Sequence, residues 1–178
     1  METKTFIVDI KNSSVIWTGR KVLGEHTGTI DIISGEFVFN QNAVVKGNVI
    51  FDINSIMVTD ITDPTTNAKL VGHLLADDFF AAEKYPTAEF NIVGSEHEMN
   101  DVYIINGTLT IRETSHSIFF PATIFISDGI LSVNGKAMID RTNFGMKFGS
   151  GNFFSNLGDS MIDNDFTLEI NLSATPIS

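Results

Sequence analysis

Apolar and polar residues alternate along most of this chain. Phe6, Val8 and Ile10 alternate with Thr5 and Asp9, and Val15 and Trp17 with Ser14 and Thr18. Near the C-terminus Phe166, Leu168, Ile170 and Leu172 alternate with Thr167, Glu169 and Asn171. A period of two puts successive side chains on opposite faces of an extended backbone, so each run predicts a strand with one dry face. Strands are predicted at 5–10, 13–19, 27–39, 45–59, 87–97, 101–112, 116–127, 130–140 and 164–174. Turn signals separate them, among them Ser34-Gly35, Asp128-Gly129 and the glycines around 149–151. Asp128-Gly129 suits a tight hairpin because glycine accepts the positive φ such turns need. Several strands run past the usual five or six residues, which predicts a closed barrel or a strongly coiled sheet.

Two segments break the rhythm. In SIFFPATIFI (117–126), Phe119 and Phe125 fall on one side and Ile118, Phe120, Ile124 and Ile126 on the other. A strand apolar on both faces must be covered on both, or must line a cavity that something apolar fills. In AKLVGHLLADDF (68–79) the period lengthens: Leu70, Leu74 and Asp78 form one stripe, Val71 and Leu75 the next. This predicts one helix, with capping oxygens offered by Thr65, Thr66 and Asn67, ending before Pro86. Neither a repeat nor a low-complexity linker divides the chain, so 1–178 is expected to form a single all-β domain with one helical insertion.

Composition narrows the function. The 178 residues include 15 Phe but one Trp and two Tyr, an excess of apolar contact without polar handles that also suits an ordinary core. A net charge of −11 disfavours nucleic acid and electrostatic docking on anionic lipid. The absence of cysteine excludes disulfides, thiol catalysis and cysteine-based metal sites. No window approaches the roughly 18 apolar residues of a membrane span, so no stable membrane insertion is expected. The N-terminus METKTFIVDI lacks a leader pattern. A periplasmic or secreted location is expected if a signal peptide has been removed, a cytoplasmic one otherwise.

Catalytic machinery is not visible. His26, His73, His97 and His116 share no metal-ligand spacing, and no nucleophile elbow or phosphate loop occurs. Asp77 and Asp78, if helical, would point about 100° apart, so both cannot aim at one atom. One is expected to face solvent and the other to accept from backbone N–H groups at the helix exit. Arg141 suits a partly buried site and has two readings, a structural pair with Asp78 or Asp140, or contact with a ligand's polar head.

A resemblance joins these features. Trp17, Gly19, His26 and Gly28 stand in an early block, followed by FDINSIMVTDI (51–61), HLLADDFFAAEKYPTAEF (73–90), GTLTIRETSH (107–116), IDRTNFGM (139–146) and a closing GSGNFFSNLGDSMIDNDFTLEINL (149–172). In these blocks, and above all in His-Leu-x-x-x-Asp-Phe-Phe followed by Tyr-Pro-x-x-x-Phe, the chain resembles the YceI-like family, lipocalin-like polyisoprenoid-binding proteins of bacteria. Arg112-Glu113 and Asn143 depart from its pattern.

The resemblance implies an extended eight-stranded antiparallel barrel with the helix near its mouth. Its pore would hold a polyisoprenoid, an isoprenoid quinone or a fatty-acid derivative, carried or stored without catalysis and without a cofactor or metal. Trp17, Phe79, Phe80, Phe90, Phe119, Phe144 and Met146 are the expected tail contacts; Arg141, His73 and Asp78 are assigned to the polar mouth or the anchoring of a lid. The alternative is an enzyme acting on a lipid or prenyl substrate, which requires His26, His73 and Asp78 to converge within hydrogen-bond reach. A third class, a barrel that binds proteins, would show a filled interior and a large exposed apolar patch. A homodimer through an unpaired strand edge is compatible with the sequence.

Overall fold

A computed structural model of the protein describes residues 3–41 and 43–177. The strands are β1 (Thr3–Val8), β2 (Ser14–Lys21), β3 (Gly24–Asn40), β4 (Ala43–Val58), β5 (Thr87–Met99), β6 (Val102–Ile111), β7 (Thr114–Ser127), β8 (Ile130–Asp140) and β9 (Ile162–Pro176). One helix, α1 (Pro64–Leu75), lies between β4 and β5. All pairings are antiparallel, and β3–β4 together with β2–β9 close the sheet on itself.

The nine strands make eight staves. β2 pairs with the start of β3 and the body of β9, whereas β1 pairs with the end of β3 and the end of β9. Both therefore occupy one position, interrupted at residues 9–13. Asp9 makes the interruption: its carboxylate accepts from the backbone N–H of Lys11 (3.1 Å) and from the Asn12 amide (2.7 Å). These contacts compete with ladder pairing and turn the chain. Ile10, expected to extend the first strand, is consequently exposed in the turn.

Tight hairpins set the register. Asp128-Gly129 has positive φ at both residues (51° and 80°), as its composition predicts. Arg112 and Glu113 adopt the same geometry at 53° and 61° without glycine. The left-handed conformation is costlier for such residues, and the Arg112 side chain recovers stability by bonding elsewhere, as described below.

The helix begins earlier than its candidate caps imply. Asp63 is the N-cap, accepting from the Thr66 N–H at 2.8 Å, and Pro64 stands in the first turn, where its missing N–H costs nothing. Asn67 instead donates to the carbonyls of Val58 (2.8 Å) and Ile61 (2.9 Å), tying α1 to the end of β4. The helix ends at Leu75, so Asp77 and Asp78 lie beyond it in a series of turns. Neither carboxylate caps the helix; Asp78 faces His73 at 3.5 Å and Asp77 faces Lys84 at 3.6 Å.

The barrel interior is filled unevenly. One half is solid: Phe6 meets Phe39 edge to face at 6.1 Å, Phe90 meets Phe120 at 5.8 Å, and Phe37, Ile105 and Leu131 are fully buried among them. Gly107 permits this, since a Cβ there would stand 2.5 Å from the Phe90 ring. In the other half, inward-facing Trp17, Ile30, Phe51, Phe166 and Leu168 are only partly buried. They face space rather than one another.

Gly28 is the counterpart in this emptier half. A Cβ at Gly28 would lie 1.7 Å from the Met57 carbonyl oxygen and 2.7 Å from the Trp17 ring. Gly28→Ala should therefore cost about 1–3 kcal/mol and disturb Trp17; urea unfolding followed by Trp17 fluorescence reads both effects.

Candidate functional site: a two-chambered barrel cavity

The unfilled half holds two adjoining chambers. The inner one, about 80 Å³, is lined only by apolar side chains, including Val15, Ile30, Phe51, Ile53, Leu109 and Leu168. The outer one, about 210 Å³, is lined by Arg20, Lys21, His26, Leu70, Phe79, Arg141, Met146 and Asp163 among others. Trp17, Leu74, Phe80 and Phe166 line both and form the wall between them.

Strand alternation and the lid together create this arrangement. Val15 and Trp17 on β2, and Phe166 and Leu168 on β9, point inward by the period of two. Trp17 lies across Gly28, and its indole N–H donates to the Met57 carbonyl at 3.2 Å, which settles its one polar atom. From above, α1 contributes Leu70 and Leu74, and the following turns contribute Phe79 and Phe80. Those turns are held by Phe80 N–H to Leu74 O (3.0 Å), Ala82 N–H to Leu75 O (3.0 Å) and Ala81 N–H to Ala76 O (2.9 Å).

Two arginines anchor the lid. Arg141, 3% exposed, donates to three backbone carbonyls: Met146 at 2.7 Å, Asp163 at 2.9 Å and Ile162 at 3.1 Å. Its guanidinium carbon lies 5.4 Å from the centre of the Phe79 ring. The expected pairing with Asp78 or Asp140 does not form; Asp140 caps the following 3-10 turn by accepting from the Thr142 N–H. Burial lowers the Arg141 pKa from its ordinary value, against the opposing fields of Asp140 and Asp163. Three carbonyls in place of a carboxylate thus satisfy the buried fork. Arg112 Nη1 donates to the carbonyls of Phe79 (3.0 Å) and Gly145 (3.1 Å), joining lid to turn. Sequence reasoning noted Arg112 only as a departure from a glycine turn and missed this role.

The remaining predicted residues separate. His73 pairs with Asp78 and meets Phe79 (5.1 Å) and Phe148 (4.4 Å) edge to face, supporting the lid from outside. His26 pairs instead with Asp60, Nδ1 to Oδ2 at 2.9 Å, and no hydrogen bond or ion pair joins it to His73 or Asp78 among the described residues. Phe90 lies in the solid half, and Phe144 packs against His116 at 5.3 Å outside both chambers. Phe119 is 76% exposed on the outer wall, because adjacent Phe120 takes the inward position and alternation allows only one. The apolar outer face of this strand is therefore uncovered rather than cavity-lining. Phe51 and Phe166 were not singled out beforehand; inward phase on a predicted strand was the signal for Phe166.

Asp60 also accepts from the Thr27 N–H at 3.1 Å, fastening the approach to α1 onto β3. Burial works to raise its carboxyl pKa, but the hydrogen bonds from His26 and Thr27 outweigh burial and hold it below the ordinary 3.8.

The family model of the YceI-like domain matches residues 6–174, and the chain belongs to that family. Among curated relatives, the UPF0312 protein plu2095 of Photorhabdus laumondii is 26% identical over 145 residues, covering 80% of this chain and 71% of that protein. Among solved structures, Burkholderia cenocepacia BcnA superposes with a TM-score of 0.76 at 21% identity, covering 94% of this chain and 99% of that one. A polyisoprenoid binding domain from Saccharophagus degradans gives 0.70 at 14% identity, covering 97% and 98%. The Campylobacter jejuni YCEI protein gives 0.61 at 23% identity, covering 90% and 84%. These three share the fold: an eight-stranded closed antiparallel barrel of lipocalin-like type.

Arg141→Ala should lose about 3 kcal/mol or more, since each orphaned buried carbonyl costs about 1–3 kcal/mol. Arg141→Lys should not rescue it, because an ammonium lacks the planar fork; thermal unfolding compares the two. The Asp60 contribution is complete above pH 3.8 and is lost as pH falls through the lower folded pKa. Asp60→Asn should consequently be less stable than the parent at pH 6, with the gap closing on acidification, as read by urea midpoints across the pH range.

Proposed function

We propose that the protein binds one long-chain amphiphile, a polyisoprenoid or a molecule with a comparable tail, and carries or stores it unchanged. The observation that supports this most directly is the inner chamber: a wholly apolar space in the barrel, divided by four shared side chains from a chamber edged by polar groups. A tail in the inner chamber gains about 0.8 kcal/mol for each CH₂ removed from water. Tail shape is weakly discriminated by such a wall, while the outer chamber's polar rim can orient a head group. Membership of the YceI-like family and likeness to a structure described as a polyisoprenoid binding domain support the same reading. A non-catalytic role accords with the separation of the His26–Asp60 and His73–Asp78 pairs.

Organic extraction of purified protein followed by mass spectrometry should recover a stoichiometric amphiphile. Trp17, the sole tryptophan, lines both chambers, so titrating stripped protein with an isoprenoid quinone analogue should quench or blue-shift its emission. A Cβ at Gly19 meets nothing within 4 Å, and Gly19 lines the outer chamber. Gly19→Phe should thus obstruct the mouth, weakening binding at least tenfold with little change in melting temperature. No recovered amphiphile and no response on titration would overturn the proposal.

A further inference from the structure

The inner chamber stands on a floor of aromatic rings. Ala88 on β5 and Leu109 on β6 line the chamber. One inward step further along the same strands stand Phe90 and Gly107. Phe90 faces Leu109 across the strands, and its ring lies over Gly107, where a Cβ would stand 2.5 Å from it. Phe120 continues the span from β7. Its ring lies 5.8 Å from that of Phe90, tilted by 42°. It covers Gly135 on β8 in turn, where a Cβ would stand 3.2 Å from the Phe120 ring. Gly135 pairs with Ile170, one inward step beyond Leu168, which again lines the chamber. Two rings resting on two glycines thus bridge β5 to β8 below the cavity. The next layer is core: Phe37, Ile92 and Ile105 are each at most 5% exposed.

Little room remains above this floor. At roughly 30 Å³ for a water-sized group, the inner chamber of 80 Å³ takes about three methylene-sized groups and the outer chamber of 210 Å³ about seven. Such a space holds about two isoprene units at most. A polyisoprenoid of many units exceeds it several-fold. Apolar binding energy follows the area removed from water, so carbons that stay outside contribute nothing.

We propose that Phe90 and Phe120 set the depth to which a tail enters, so that recognition reads only about two isoprene units, or an alkyl tail of the same bulk. The rings act by occupying the barrel where the tail would otherwise continue, and neither lines a chamber. They are specificity determinants rather than tail contacts. The inference rests on the carrier reading and adds to it a length limit and the residues that impose it.

A series of quinone analogues sharing one head group and carrying tails from no isoprene unit to four tests it, with Trp17 emission as the readout. For the parent, each of the first two units should tighten binding at least tenfold, and the later ones should change it less than threefold. Removing the Phe90 ring vacates the room of about one isoprene unit. Phe90→Ala should therefore move the levelling point one unit longer. Ala88→Leu adds about three methylene-sized groups, enough to fill the inner chamber, and should move it one unit shorter. Because Ala88→Leu fills existing space, it decides the matter even if Phe90→Ala does not fold, which thermal unfolding reports. Parent affinity that keeps rising through four units would overturn the length limit. So would variants that weaken every analogue equally and leave the levelling point in place, the pattern of a merely structural role. Absence of parent binding to any analogue would instead overturn the carrier reading.

Discussion

Closure of the sheet is the constraint on which everything else depends. Once β3 pairs with β4 and the β1/β2 stave reaches β9, alternate residues of eight staves share one interior. Every inward position must then be filled by a neighbour or face a void. In one half, Phe rings over glycines and short aliphatic residues fill it. In the other, the inward residues stand apart around Trp17 and the roof comes from α1 and its following turns. The cavity is the consequence of one end being packed from within and the other covered from above.

That roof is held largely by polar groups acting on backbone rather than on each other. Arg112 binds two carbonyls and Asn67 two, attaching the lid to the 145 turn and β4, while Arg141 ties that turn to the start of β9 and stacks on Phe79. A guanidinium satisfied this way needs no buried carboxylate and leaves the inner chamber free of charge. The chemical division between a dry inner space and a polar-edged outer one follows from where these arginines sit.

Much of this was legible beforehand. Period-two runs located the staves, Asp128-Gly129 its hairpin, and the lengthened period after Asn67 the helix. Closure and the YceI-like assignment followed from long strands and the His73–Phe90 block. What misled was phase and partner choice. Phe119 and Phe120 are equally apolar, and only pairing with β6 decides which points inward. Thr65, Thr66 and Asp63 are all competent caps, and Pro64 favours the last by occupying the first helical turn. Asp78 and His26 each had a plausible charged neighbour in view, yet the partner taken was set by loop geometry.

By itself, then, the sequence determined a β barrel with one helical insertion, because alternation and turn chemistry act within a few residues of one another. Tertiary structure alone decided that Phe80 lines both chambers while Phe90 is core, and that Arg141 holds backbone rather than carboxylate. Those outcomes depend on strands far apart in sequence becoming neighbours, and local pattern carries no information about which distant side chain fills, or fails to fill, the space opposite.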